Sequence, residues 1–271
     1  MKQAEEELVN YQQHHESQIG QEKLQEIVAS GDETFFNDEP ILVLMELSSG
    51  YIIIEEESQD RSYDSWLSRS SGRLKQLGLK VRHFVSDRGK SLVKLALDGF
   101  NCCAGADLFH AQCDISKWLG QGFYQRLGKA TKRLKTSHEK LDKLKEKAVD
   151  SEAIKTQEQI VKQDKAELYK IEQGQQTYRN TQQAVSESVH AFDLEGTKQT
   201  SVQVENKLHD EAQHFDEIAR TYSIPDNKGK LTKFKKQIED VASIVDIWWL
   251  WAIYSLSRLW FGESSTRLVV V

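Results

Sequence analysis

The apolar residues follow two different patterns along the chain, and these patterns separate a strand-rich part from a helix-rich part. Between residues 26 and 114, short apolar runs alternate with glycine, serine and aspartate, which favour turns, and this pattern predicts strands. From residue 115 to about residue 222, apolar residues are sparse and spaced for helices, and residues 228–261 form a further predicted helix. Residues 1–25 indicate only a polar helical lead-in.

The strand-rich part predicts strands and helices in the order β-β-β-α-β-α-β. The strands are EIVAS, which ends at Gly31 and Asp32, then the two halves of PILVLMELSSGYIIIEEES, then VRHFV and AGADLFHAQC. Ser62 or Asp64 can cap the first helix, and KSLVKLAL predicts the second. This order predicts an α/β fold in which helices pack on a mixed sheet.

In the helix-rich part, a seven-residue repeat indicates a coiled-coil-like segment. Its apolar positions are Leu127, Leu134, Leu141 and Ala148, with Ala130 and Leu144 near the complementary position. The surrounding sequence is too polar to form a core of its own. We therefore predict a long helical hairpin or a small bundle, with FDLEGTKQT as the candidate turn.

The composition describes a polar and slightly acidic chain, since 29% of its 271 residues are charged and the net charge is -6. This balance argues against nucleic-acid binding through bulk charge, but it leaves local basic patches open. One such patch runs from Arg126 to Lys147, with nine Lys or Arg and three Asp or Glu. A solvated helix face and a surface that follows a DNA backbone explain this patch equally well.

Two further features concern the location of the protein. The cysteines are clustered without regular spacing, so we expect free thiols and a cytoplasmic protein. The apolar stretch within Val241–Phe261 lies between Asp246 and Arg258 and is shorter than the roughly 20 residues of a membrane span. We therefore expect a buried helix and no membrane contact. The tryptophans expected to pack there are Trp248, Trp249, Trp251 and Trp260.

Two aspartates follow apolar runs in the strand-rich part, Asp32 in EIVASGDETFF and Asp87 in VRHFVSDRGKSL. Each residue alone is more simply explained as a turn residue or a helix cap, and Asp87 is placed to cap the helix that begins near Lys90. If the first and fourth strands pair, however, the two carboxylates become neighbours. They would then supply the rigid oxygen ligands that Mg²⁺ or Mn²⁺ prefers, and a two-ion site suits phosphodiester chemistry.

The order of elements and these two aspartates resemble the ribonuclease-H-like core of DDE-type transposases from bacterial insertion sequences, relatives of retroviral integrase. GDETFF resembles the motif of the first aspartate, FVSDRGKSLV that of the second, and DLFHAQCDISKWLG the fifth strand and the following helix. The resemblance implies four segments: a helical lead-in over 1–25, the first part of the catalytic core over 26–125, a helical insertion over 126–222, and a C-terminal segment over 223–271 that returns to the core.

The resemblance also implies an activity, the metal-dependent cleavage of DNA at the ends of a mobile element and transfer of the strand into target DNA by a homo-oligomer. It implies that Mg²⁺ or Mn²⁺ is held by three catalytic acids, which are Asp32, Asp87 and a third acid on a helix after the insertion. There KFKKQIEDVASIVD offers Glu239, Asp240 and Asp246, of which we choose Glu239. Relatives carry a DNA-binding region before the core and more chain after the insertion. We therefore expect a partial copy, which is inactive if part of the site is missing.

Other interpretations stay open at this stage. A non-enzymatic coiled-coil interaction protein with a small α/β head would oligomerise through residues 120–150 and need no metal. A ribonuclease-H-like nuclease would cleave without strand transfer. Zinc ligation by Cys103, His110, Cys113 and Asp114 is disfavoured because their spacing contains no tight ligand pair.

Overall fold

The computed structural model of the protein describes residue 10, residues 25–147 and residues 151–261. It divides the chain into two compact units, and the division falls between Asp107 and Leu108. The first unit is built on a mixed sheet and the second is helical. The predicted α/β class and the long helical part are therefore both confirmed.

The sheet of the first unit has five strands in the order β3-β2-β1-β4-β5. The strands are β1 (Gln25–Phe36), β2 (Glu39–Glu46), β3 (Ile52–Glu57), β4 (Leu79–Ser86) and β5 (Cys103–Ala106). Strand β2 pairs antiparallel with both β1 and β3, whereas β4 pairs parallel with both β1 and β5. The predicted mixed sheet is thus confirmed, and its first and fourth strands are neighbours.

Two of the predicted strand boundaries are wrong. Strand β1 does not end at Asp32 but continues to Phe36, because a two-residue turn with positive φ at Asn37 (52°) and Asp38 (67°) folds β2 back along it. The fifth strand covers only Cys103–Ala106, and the apolar residues of DLFHAQC belong to a helix that begins at Leu108. A short apolar run does not distinguish a strand from a buried helical turn.

Two helices pack on the sheet of the first unit. Helix α1 (Tyr63–Gln76) begins after Ser62, whose hydroxyl accepts the Ser65 N–H at 3.2 Å, so Ser62 is the cap. Helix α2 (Lys90–Lys94) continues into a π-helical turn over Leu95–Gly99. The core between sheet and helices is formed by fully buried side chains, among them Leu42, Leu44, Trp66, Phe84, Leu92 and Leu95.

The second unit contains five α-helices within the described residues: α3 (Leu108–Ile115), α4 (Gln121–Glu146), α5 (Ser151–Ser188), α6 (Ser201–Thr221) and α7 (Lys230–Phe261). A π-helical turn over Ser116–Gly120 joins α3 to α4. Helix α4 packs on α5, and α6 packs on both α5 and α7. Helix α6 begins with a capping box formed by Thr200 and Gln203.

The predicted heptad residues lie in the contact between α4 and α5. Leu141 and Ala130 are buried there, Leu127, Leu134 and Leu144 are half-buried, and Ala148 lies outside the described residues. The predicted helical hairpin or small bundle is therefore confirmed. FDLEGTKQT is a turn as predicted, because it connects α5 to α6, which pack on each other, and Phe192 and Lys198 form a short β-bridge within it.

The aromatic end of α7 is only partly packed. Trp249 fulfils the packing prediction, because its ring lies 5.0 Å from that of Phe192 and its indole N–H donates to the Gln199 carbonyl at 2.9 Å. Trp248 and Trp251 remain 40% and 43% exposed, and the side chain of Trp260 lies outside the described ones. None of the helices in the described ranges is long and apolar enough to cross a membrane.

Candidate functional site

The parallel pairing of β1 with β4 determines where the two predicted aspartates lie. The last paired residues are Ser30 on β1 and Val85 on β4, and each aspartate comes two residues later on its strand. Because parallel strands run in the same direction, Asp32 and Asp87 reach the same edge of this strand pair. The condition that the sequence left open, pairing of the first and fourth strands, is met.

Gly31, the residue directly before Asp32, lies where β1 packs closely against the core. Gly31 lies against the ring of Phe84, and a Cβ at that position would be only 2.5 Å from Phe84 Cζ. Any larger residue would push β1 away from the core or displace the ring. The glycine directly before Asp32 therefore permits the close packing of β1 on Phe84 at this point.

Asp32 does not act as a helix cap or as a turn residue. It lies inside β1, where it is paired with Val43 of β2, and its side chain is exposed. Its Oδ1 accepts the backbone N–H of Glu33 at 2.9 Å. Because Asp32 lies within a paired strand and not at a helix start, the simple explanation of Asp32 as a cap is wrong.

Asp87 is half-buried and orders a tight turn after β4. Its Oδ1 accepts the Gly89 N–H at 2.7 Å, and Arg88 between them has a positive φ of 65°. The N-cap of α2 is Gly89, and no side chain accepts a hydrogen bond there, so Asp87 is not the helix cap. The turn fixes one carboxylate oxygen of Asp87 and orients the second.

Glu33 is a third carboxylate at this edge, and the sequence analysis missed it. Burial raises its pKa, the Asp87 carboxylate raises it further, and the Asp32 carboxylate adds a smaller increase. Arg61 opposes these effects from 3.8 Å. The buried Trp66 indole N–H also lowers the pKa of Glu33, although it lies outside ordinary hydrogen-bond geometry.

Strand alternation was the signal that could have identified Glu33. Ile27, Ala29 and Gly31 are buried and separated by two residues, and Glu33 is the next position on the same face. A carboxylate that follows three core positions is partly desolvated. Desolvation and nearby like charges are the two causes that raise a carboxylate pKa, and they concentrate at functional sites.

The donor chemistry of the edge suits a divalent ion. Carboxylate oxygens are the ligands that Mg²⁺ and Mn²⁺ take, and one oxygen of each aspartate is held by a backbone N–H. Within the part of the chain that the structure describes, however, no three His, Cys, Asp or Glu side chains are arranged to hold a metal together. A metal ion held by Asp32 and Asp87 would therefore need water or a further acid to complete its ligands.

The predicted third acid belongs to the second unit. Glu239 lies on α7 and is exposed. Its role as the third metal ligand stays a prediction. Asp246, another of the candidates, has a structural role, because it accepts the backbone N–H of Ser201 at 3.0 Å and the Ser201 hydroxyl at 2.5 Å. It thereby anchors the start of α6, which weakens its case as a metal ligand.

One of the residues considered for zinc, Asp114, has a structural role. Asp114 is buried and lies 2.5 Å from Lys230 Nζ and 2.9 Å from Lys233 Nζ. Burial by itself would raise the pKa of Asp114, but the hydrogen bonds from the two ammonium groups outweigh it and lower the pKa. The three cysteines are free thiols, and burial raises the pKa of Cys102 to about 11.

Comparison with known proteins adds no assignment to this geometry. No protein-family model matches the chain, and a search of curated proteins gives no significant match.

Proposed function

We propose that the first unit is the ribonuclease-H-like core of a DDE-type transposase that binds Mg²⁺ or Mn²⁺ through Asp32 and Asp87. The observation that carries the proposal is the parallel pairing of β1 and β4, which brings both aspartates to one edge. The strand order β3-β2-β1-β4-β5 and the hairpin of β1, β2 and β3 agree with it. The proposed substrates are DNA ends and target DNA, handled by a homo-oligomer in the cytoplasm.

Each carboxylate of the edge has its own part in the proposed metal site. Asp87, fixed by the Gly89 N–H, presents one oxygen in a defined direction, and Asp32 presents a second from the neighbouring strand. When bound there, a divalent ion would polarise a phosphodiester and lower the pKa of a water molecule. Glu33, whose pKa is raised, holds a proton more readily than an ordinary glutamate and so limits the repulsion among the three carboxylates. Glu239 remains the proposed third acid.

Calorimetric titration with Mn²⁺ tests the proposal. Asp32→Asn and Asp87→Asn keep the side-chain volume and one carbonyl oxygen but remove the charge. Loss of a ligand should weaken binding at least as much as the roughly 10–100-fold loss seen for outer-shell partners. Asp98→Asn, an exposed aspartate after α2, is the matched control and should bind as the wild type does. Equal affinity of all four proteins would overturn the metal site.

The coiled-coil alternative loses support from the structure. It requires the heptad residues to face another chain, but α4 packs on α5 of its own chain, and in that arrangement Leu141 is already buried and Leu127 and Leu134 are half-buried. Strand-transfer products on a DNA substrate with a free 3′-hydroxyl would separate a transposase from a nuclease, because joined products require transfer.

A further inference from the structure

Four exposed lysines on one face of α4, together with Lys147 directly after the helix, form a row. With 3.6 residues per turn, the row occupies an arc of about 80° and extends over about 27 Å of helix. Its members, the lysine row, are Lys129, Lys132, Lys140, Lys143 and Lys147, and all five are exposed. The remaining positions on this arc are Gln125 and Thr136, so the row contains no acidic and no apolar residue.

Three of the four other basic residues of α4 have structural partners, and the fourth, the exposed Lys135, lies outside the row. Arg133 pairs with the buried Asp164 at 2.7 Å, and Lys145 pairs with Glu158 at 2.8 Å, so both fasten α4 to α5. Arg126 donates to the Ser223 carbonyl at 2.7 Å. By contrast, none of the five lysines in the row forms an ion pair with a carboxylate of the described residues. The row is therefore not needed to hold the hairpin.

Concentration of this positive charge is unusual for a chain whose net charge is -6. Lysines three and four residues apart on one helix face repel one another, as Lys140 with Lys143 and Lys143 with Lys147 do. A straight row of exposed lysines without carboxylate partners is suited to contact a linear array of negative charge.

We propose that the lysine row binds the phosphate backbone of duplex DNA. Phosphates lie about 3.4 Å apart along the axis on each strand, so the row matches roughly eight base pairs in length. Lysine ammonium groups, with Gln125 before them and Thr136 among them, are backbone-contacting groups and read no sequence. Single-stranded nucleic acid is a poorer fit, because its binding requires aromatic platforms for the bases and this arc has none.

This inference names DNA because of the proposed function, but it concerns a surface separate from the carboxylate edge. The two can therefore fail independently. Loss of the metal site would leave duplex binding by α4 intact, and loss of duplex binding would leave the Mn²⁺ titration of Asp32 and Asp87 unchanged.

The test is fluorescence anisotropy with a labelled DNA duplex of about 30 base pairs, titrated between about 50 and 200 mM salt. The test variant is Lys132→Gln/Lys140→Gln/Lys143→Gln. We expect its affinity to fall by at least about tenfold and the slope of log K against log salt to flatten by about 2–3, since each phosphate contact contributes about 0.9. Mn²⁺ binding should not change.

The matched control removes the same charge elsewhere on the hairpin. Lys155, Lys162 and Lys170 are exposed on α5, and the triple Lys→Gln variant at these positions should bind the duplex nearly as the wild type does. Three outcomes would overturn the proposal. The two triple variants could lose duplex affinity equally, the test variant could keep the wild-type affinity, or the wild type could bind polyglutamate more tightly than the duplex. If the test variant loses helicity, Lys140→Gln alone should still flatten the slope by about 0.9.

Discussion

One half-buried acid of the first unit and two buried acids of the second unit lie in opposite charge environments. In the second unit, the buried Asp114 has two lysine partners, and the buried Asp164 has an arginine partner. In the first unit, the half-buried Glu33 has two further carboxylates nearby and only one arginine, at 3.8 Å. The pKa of Asp114 is lowered and that of Glu33 is raised accordingly.

This difference separates acids that hold the fold together from acids that form a candidate site. An acid paired with cations in the interior stabilises its surroundings and has little left to offer a ligand. An acid that is partly desolvated among other acids is costly for the fold, and such arrangements persist mostly at functional sites. The carboxylate edge of β1 and β4 is therefore a better candidate than Asp114, although Glu33, Asp87 and Asp114 are all at least partly buried acids.

The largest effect that this comparison predicts is on Asp114. Asp114→Ala leaves Lys230 and Lys233 beside each other without their carboxylate and should lower the free energy of unfolding by about 2–3 kcal/mol, less than a fully buried pair because Lys233 is exposed. Since the pKa of Asp114 is lowered, its contribution is present above the unfolded-state pKa and disappears as the pH falls through the folded-state pKa. Urea unfolding at several pH values measures both.

Asp210→Asn is the control for this experiment, because Asp210 is an exposed aspartate on α6. It should change the free energy of unfolding by less than about 0.5 kcal/mol at every pH. An Asp114→Ala protein whose deficit stayed constant down to low pH would show that packing, and not the ion pairs, is responsible.

Local sequence pattern was enough to predict most of the first unit, but not its charge environment. Alternating apolar residues identified four strands, and Ser62 identified the start of α1. The extension of β1 past Asp32 was missed because its pairing depends on the Asn37–Asp38 turn and on β2, not on the residues Thr34 to Phe36 themselves.

The sequence identified the residues of the candidate site that follow apolar strands. It did not identify the residue whose environment depends on tertiary contacts. Asp32 and Asp87 could be found because each follows an apolar run. Glu33 depends on Trp66, which comes 33 positions later in the chain, and on Asp87 across the strand pair. Asp246 was a plausible third acid in sequence, and only its bonds to Ser201 reveal a structural role.

A smaller effect of opposite sign is expected at Glu33. Glu33→Gln removes a desolvated charge and its repulsion with Asp87, so it should raise the free energy of unfolding at neutral pH by up to about 1 kcal/mol, with the Arg61 attraction offsetting part of the gain. Because the folded-state pKa of Glu33 is raised, the wild type loses stability as the pH rises through it. The advantage of the variant should therefore vanish at low pH. A less stable variant at neutral pH would mean that the Arg61 pair dominates.

The smallest predicted effect is on an exposed ion pair, and it tests whether a cationic partner stabilises the fold when the acid is not buried. Asp216 and Arg220 form an ion pair one helical turn apart on α6, with Arg220 78% exposed. Solvent screens such a pair, so Asp216→Asn should cost only about 0.3–0.5 kcal/mol, and added salt should abolish the difference. Parallel urea titrations of the variants at Asp114 and Asp216 would measure this. Equal costs at both positions would contradict the view that a cationic partner matters in proportion to the burial of the acid. The distinction drawn between Asp114 and the carboxylate edge would then rest on geometry alone.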